Sequence, residues 1–240
     1  MDFYTRISKY YNDIFPLNQV QISFVLSCSS ESEKMKLLDV GCGTGGLAIA
    51  LSSEYESVSA IDTNGDMLEI ARNTSSAKHI DFQNCGMLGI DKDFDDSSFD
   101  TVLCFGNTIV HLQNLKDIEL FFRKVKHLLK PGGKFLFQLI NYDNILDNNL
   151  VGLPTIENDR IKFERNYNLD ENGLIDFTTI LTIKKTNEML ESNVKLFPIR
   201  KSQIETALTD AGFGIIKAYS SFKKDLYNPQ SLPLVFECSK

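Results

Sequence analysis

No stretch of the 240-residue chain approaches the roughly 18 consecutive apolar residues needed to cross a bilayer. The opening MDFYTRISKYYND has no apolar core of the kind a secretory signal carries. These two absences lead to the expectation of a cytoplasmic protein with no membrane partner. There is no C-x-x-C pair: Cys28, Cys42, Cys85, Cys104 and Cys238 are scattered. That spacing fits neither a zinc site nor a disulfide framework, and reduced thiols are expected. No His/Cys/Asp group has ligand spacing, so no metal is expected. Basic residues are in the minority, with 25 Lys and Arg against 32 Asp and Glu, for a net charge of −7. The densest basic stretch, RKVKHLLK at 123–130, has the pattern of the solvated face of an amphipathic helix. A nucleic-acid partner needs a positive footprint and is not expected. The sequence has no internal repeat and no low-complexity tract, and nothing in it specifies an oligomeric state. With 42% hydrophobic residues it has ample material for a packed core, which excludes a disordered chain.

The apolar pattern alternates between two periods. Residues 3–14 and 17–29 are expected to form two helices separated by Pro16. KLLDV (36–40) is a short strand running into glycines, and LAIALSSE continues as a helix. SVSAID (57–62), HIDFQ (79–83), FDTVLCF (99–105) and KFLFQLI (134–140) are further strands. Helices are expected between them, at Asn64 to Arg72 and along LKDIELFFRKVKHLL, with KPGG as a turn before the fifth strand. Strands separated by helices predict βαβ units and a mostly parallel sheet. From about 155 to 198 the period drops to two. IKFERNYN and LIDFTTILTIKK flank the hairpin signal Asn172-Gly173, and MLESNVKLFP is a candidate third strand. A helix from Lys201 to Ala211 and two strands, FGIIKAYSSF and LPLVFECS, complete the chain.

The stretch LLDVGCGTGG (37–46) fits two nucleotide-binding patterns at once. Gly41, Gly43 and Gly46 spell the G-x-G-x-x-G of dinucleotide sites. Asp39, Gly41, Gly43 and Gly45 spell a D-x-G-x-G-x-G loop of the kind that holds S-adenosylmethionine. In both, a strand ends in glycines that let backbone approach a ligand and open a helix N-terminus. An acidic residue about 20 positions further on should take ribose hydroxyls, and Asp62 satisfies both patterns. Asp39 separates them. A carboxylate in that strand costs about 2–7 kcal/mol if left unpaired, so it needs a cation or several donors. The ammonium of a bound methionine group would supply the cation. Alternatively, Asp39 accepts hydrogen bonds from the loop's own amides. A nicotinamide-dependent oxidoreductase would also need hydride chemistry, and Tyr219-x-x-x-Lys223 has the spacing of a dehydrogenase pair. It falls in a C-terminal strand, outside the expected helix, and is read as coincidence.

On these motifs the chain resembles the class I S-adenosylmethionine-dependent methyltransferases. LLDVGCGTG is similar to that family's first motif, AIDTNGDMLEIAR to its second, FDTVLCFGNTIVHL to its fourth-strand motif, and LLKPGGKFLFQL to the turn into strand five. GNTIVHL followed by NYDNIL resembles the small-molecule, glycine N-methyltransferase-like branch. The resemblance implies a Rossmann-like seven-stranded sheet of order 3-2-1-4-5-7-6 with the last strand antiparallel. It also implies N-terminal helices folded over the cofactor, with Tyr10-Tyr11 as an aromatic pair, and an antiparallel lid. The implied division is a cofactor-binding domain of residues 1–154 and 199–240 with a lid insert at 155–198. The implied cofactor contacts are Tyr11, Asp39, Gly41, Cys42, Gly43, Asp62, Thr63, Met67, Gly86, Met87, Phe105 and Gly106. Two departures stand out. Gly86 occupies a position before Met87 that is often acidic and bonds the adenine amino group. Ile140 stands where glycine N-methyltransferases have an arginine that grips substrate carboxylate, so glycine itself is not expected as acceptor.

Methyl transfer from a sulfonium is an in-line displacement with an activated leaving group. The protein therefore mainly aligns the reactants and excludes water. The expected partner is a small-molecule acceptor with a nitrogen or oxygen nucleophile. Asn107 is expected to orient the nucleophile, or else to cap a helix. His111 is either a general base or an ordinary packed histidine. Cys42 is a small loop residue and not a nucleophile. Tyr142 and Arg165 are candidates for the substrate wall, with a surface-strand role as the alternative for Arg165. A nonenzymatic S-adenosylmethionine-binding protein remains the alternative function, with an NAD-dependent oxidoreductase behind it.

Overall fold

The computed structural model describes residues 3–29, 35–77 and 79–240. The chain begins with α1 (Phe3–Ile7), a tight 3-10 turn (Ser8–Tyr10), α2 (Tyr11–Ile14) and α3 (Gln19–Cys28). Strands and helices then alternate through β1 (Lys36–Val40), α4 (Gly46–Leu51), β2 (Ser57–Asp62), α5 (Gly65–Thr74) and β3 (Ile80–Asn84). They continue with α6 (Ile90–Asp93), β4 (Phe99–Cys104), α7 (Leu115–Leu128), β5 (Leu129–Ile140) and α8 (Tyr142–Asp147). Four strands follow, β6 (Gly152–Glu157), β7 (Ile161–Leu169), β8 (Ile175–Ile183) and β9 (Glu188–Leu196). The chain closes with α9 (Lys201–Asp210), β10 (Ile215–Tyr219) and β11 (Pro233–Ser239).

The main sheet has seven strands in the order β10-β11-β5-β4-β1-β2-β3. β1 to β5 run parallel, and β11 is antiparallel to both β5 and β10. This is the expected 3-2-1-4-5-7-6 order. The central strands are buried on both faces, which is why KLLDV and TVLC read as continuous apolar runs. α7 shows how a helix is written against such a sheet. Asn114 caps it by accepting the Asp117 amide, and Ile118, Phe121, Phe122, Val125 and Leu128 form its buried stripe. That stripe meets a column of rings on the sheet, where Phe137 stacks on Phe135 and on Phe236, each at 4.7 Å between centroids.

Three local expectations are corrected. The helix expected over 3–14 is broken by the turn at Ser8–Tyr10. KPGG is not a turn ahead of the fifth strand but a bulge inside it. Leu129 pairs with Phe99 and Lys134 with Thr101, so the intervening residues loop out of register. The second sheet has four antiparallel strands in the order β6-β7-β8-β9, whereas the period-two pattern showed two and a candidate third. The strand that escaped notice is β6, which contains Pro154 and sits at the sheet edge, where a missing amide is tolerated.

The second sheet is held down by the N-terminal segment. Ile161, Phe163 and Leu181 on its inner face pack with Ile7, Ile14 and Met67. Arg6 donates to the Glu191 carbonyl at 3.0 Å, and Arg160 pairs with Asp13 at 2.8 Å. Among the described residues, no helix is long and apolar enough to cross a membrane.

Gly45 shows how tightly the loop after β1 is packed. Its φ is +74°, and a Cβ there would lie 2.8 Å from the Phe82 ring and 2.9 Å from the Ala71 methyl. Gly45→Ala combines left-handed strain with overpacking and should cost about 2 kcal/mol. That corresponds to a melting temperature lower by about 4–8 °C, measured by thermal denaturation. An unchanged melting temperature would contradict the packing described.

Candidate active site

The order of the main sheet reverses between β1 and β4, and open α/β sheets bind ligands at the carboxyl ends of strands at such a point. The glycine loop leaves β1 there. At Gly41, with φ +75°, a Cβ would lie 2.5 Å from the Thr108 methyl, so the segment after β4 closes directly on the loop. Four of the loop amides are spoken for. Gly41 and Cys42 donate to the Ile61 carbonyl, Gly43 to Asp62 Oδ2 at 2.9 Å, and Gly45 to the Cys42 carbonyl. Asp62 Oδ1 accepts the Asn64 amide at 2.8 Å, so this carboxylate ties the loop to the end of β2.

Asp39 is 3% exposed, and those four amides turn to other acceptors. The alternative, that loop amides satisfy Asp39, is not met by these four. Burial, with the nearby Asp62 charge adding to it, pushes the Asp39 carboxyl up to about 7. The site therefore calls for a cation. The same burial and the two carboxylates push the Cys42 thiol well up, leaving it a small packed residue and not a thiolate nucleophile.

Two cavities open onto this loop. The larger, about 760 Å³, runs from Asp39, Gly41 and Cys42 past Phe105, Gly106, Asn107 and His111 to the inner face of the second sheet. The smaller, about 240 Å³, is lined by Gly43, Asp62, Thr63, Met67, Gly86 and Met87. Tyr4, Tyr11, Gly41, Gly106 and His111 belong to both walls. Every residue named from the sequence as a cofactor or catalytic candidate thus lines one cavity or the other. Tyr4, Gln138, Phe163 and Tyr167 line the larger one without having been singled out. Tyr4 lies seven residues before Tyr11, a helical same-face spacing that was there to be read. Arg165 lines the larger cavity from β7.

Tyr142 is a correction. It is fully buried and lines neither cavity. Its hydroxyl accepts from Asn107 Nδ2 at 3.0 Å, while Asn107 Oδ1 accepts the Ile140 amide at 2.9 Å. Asn107 has φ +66° and makes no cap bond to the short 3-10 turn that follows it. It is a brace between the ends of β4 and β5 that also faces the cavity. His111 Nε2 lies 2.9 Å from the Tyr4 hydroxyl, bridging the N-terminal segment to the segment after β4. Tyr219 and Lys223, the dehydrogenase-like pair, line neither cavity, and Tyr219 donates to Glu237 at 3.1 Å. No group of three or more His, Cys, Asp or Glu suited to a metal occurs among the described residues.

Comparison with known proteins agrees with this geometry. Residues 37–133 match the family model of a methyltransferase domain. The chain is 32% identical to glycine N-methyltransferase of Mus musculus over 123 residues, 46% of this chain and 42% of that protein. It is 29% identical to a ubiquinone biosynthesis O-methyltransferase of Idiomarina loihiensis over 133 residues, 55% of this chain and 53% of that protein. The chain thus spans about half the length of these curated relatives. In fold it is similar to an S-adenosylmethionine-dependent methyltransferase from Clostridium acetobutylicum. That likeness has a TM-score of 0.83 and 16% identity, and it covers 98% of each chain. The cradle suits the family's cofactor: a buried carboxylate short of donors fits a cationic methionine group, and Asp62 opens onto the smaller cavity where ribose hydroxyls would lie. The glycine loop, the paired carboxylates and these likenesses agree: residues 37–133 match a methyltransferase domain, and the chain is similar in sequence and fold to S-adenosylmethionine-dependent methyltransferases.

Proposed function

We propose that this chain transfers the methyl group of S-adenosylmethionine to a nitrogen or oxygen of a small-molecule acceptor. One observation carries this: the larger cavity is continuous from the buried carboxylate of Asp39 to a chamber walled by Leu153, Phe163, Tyr167 and Phe177 of the second sheet. A protein that only bound the cofactor would have no use for the chamber beyond it. When bound, S-adenosylmethionine supplies an activated methyl group on a sulfonium. The chain's own residues then hold, align and shield. Asp39 and the glycine loop would hold the methionine end, Asp62 the ribose, and Gly86 with Met87 the adenine. Asn107, locked by Ile140 and Tyr142, keeps the wall beside Phe105 and Gly106 rigid, which is what near-attack alignment requires. The sheet of residues 152–196 and the segment through Tyr4 and Tyr11 cover the chamber and exclude water, so residues 155–198 serve as the lid. The Tyr4–His111 pair is placed to take a proton from an acceptor that must lose one. The net charge of −7 and the covered chamber favour a small acceptor over a nucleic acid. A cytoplasmic location is part of this proposal.

The Asp39 carboxyl gives a pH signature. Its folded pKa, about 7, lies above the ordinary 3.8. Between those values the folded chain holds a proton that the unfolded chain has released, so this group makes stability fall as pH rises through the window. Asp39→Asn removes the titration. Its melting temperature relative to the parent should therefore rise from pH 4 to pH 8, in the absence of ligand. Affinity of the parent for the cationic S-adenosylmethionine should strengthen over the upper part of the same window. Parallel melting curves for the two proteins across that range would contradict the role of Asp39.

Asn107→Ala tests alignment directly. Loss of the brace should lower single-turnover methyl transfer at least about tenfold, or about 1.4 kcal/mol of barrier. Affinity for S-adenosylhomocysteine, measured by calorimetry on the same folded variant, should stay within about threefold. Untouched turnover would make Asn107 a structural brace alone. A collapse in affinity would make it a cofactor ligand.

A further inference from the structure

Asp39 is the single carboxylate and Arg165 the single Lys or Arg among the described residues that line the larger cavity. They come from different sheets, Asp39 from the cradle at β1 and Arg165 from β7 of the second sheet. Among the described residues no carboxylate pairs with Arg165. One guanidinium nitrogen donates to the Pro154 carbonyl at 2.6 Å, which fixes the plane of the group. Its Nε is shielded from solvent and meets no acceptor. Burial pulls this guanidinium below its usual range. A partly buried guanidinium with no carboxylate partner is a standing cost that an anion in the cavity can relieve.

The sheet pattern explains how the residue comes to face inward. Phe163, Arg165 and Tyr167 alternate along β7 and so share one face, and all three line the cavity. Leu153 stands opposite Arg165 in register, and Phe177 opposite Tyr167. The cation is therefore set among rings and aliphatic groups. At Ile140, near the end of β5, there is no charge to receive an anion.

We infer that Arg165 is the specificity residue of the acceptor chamber, and that the acceptor carries one anionic group, a carboxylate or a phosphate ester, on an apolar or aromatic body. The guanidinium fork suits both anions. This deepens the methyltransferase proposal for the same chamber and rests on it for the word acceptor. The anion site itself stands independently of turnover.

Calorimetry with small probes tests it. Benzoate and phenyl phosphate are titrated against their neutral counterparts, benzamide and phenol, with and without S-adenosylhomocysteine. The parent should bind at least one anion tenfold or more tightly than its neutral counterpart. Arg165→Gln should abolish that preference, and Arg165→Lys should keep part of it, with folding of both variants checked by thermal melts. Equal affinity within both pairs, no binding of any probe, or a preference that survives Arg165→Gln would overturn the inference. A purely structural Arg165 would lower the melting temperature and leave selectivity unmoved. If S-adenosylhomocysteine fails to bind while the anion preference holds, the methyltransferase proposal falls and the anion site stands.

Discussion

Two carboxylates close enough to perturb one another are held at the ends of adjacent strands, and one of them is buried. Burying a charge without a partner is among the most expensive things a fold can do. Asp62 is relieved by two backbone amides and in return fixes the glycine loop. Asp39 receives no such relief from the loop amides of Gly41, Cys42, Gly43 and Gly45, which are committed elsewhere. The rest of the site follows from that arrangement. The loop can lie against Thr108 and Tyr11 because its glycines carry no side chains to obstruct the approach. The segment after β4 is consequently drawn over the mouth, bringing Asn107 and His111 to the cavity wall.

The same constraint explains the N-terminal segment. Tyr11 faces Gly43 closely, and Tyr4 reaches His111. Ile7 and Ile14 then pack under the second sheet beside Met67 of α5. Two parts of the chain far apart in sequence are thereby made into one roof. A polar cradle below and a largely apolar chamber above suit alignment of two reactants away from water more than the reading of a long polymer.

Much of this was legible from residues alone. The βαβ rhythm gave the parallel sheet because strands buried on both faces are written as apolar runs between helical stripes. Asp39 was informative because a charge inside such a run demands a reason. What escaped had physical causes too. β6 is an edge strand with a proline, so its period-two signal is broken. KPGG reads locally as a turn, and only pairing across β4 makes it a bulge within β5. The tight turn at Ser8–Tyr10 has no glycine or proline to announce it. Tyr142 is a candidate for the substrate wall from sequence, yet α8 tucks it against Asn107 and Tyr167. Arg165 was visible as one residue of an alternating strand, but its lack of a partner is a property of packing that no spacing reveals.

The central claim is that the cradle between β1 and β2 holds S-adenosylmethionine through its carboxylates. Calorimetry of the parent and of folded Asp62→Ala, each titrated with S-adenosylhomocysteine and with NADH, tests it most directly. Hydrogen bonds to a charged group contribute about 1.5–3 kcal/mol, so Asp62→Ala should weaken S-adenosylhomocysteine binding about ten- to hundredfold. NADH should bind neither protein appreciably. Saturable NADH binding by the parent, or S-adenosylhomocysteine affinity unchanged by the loss of Asp62, would contradict the account.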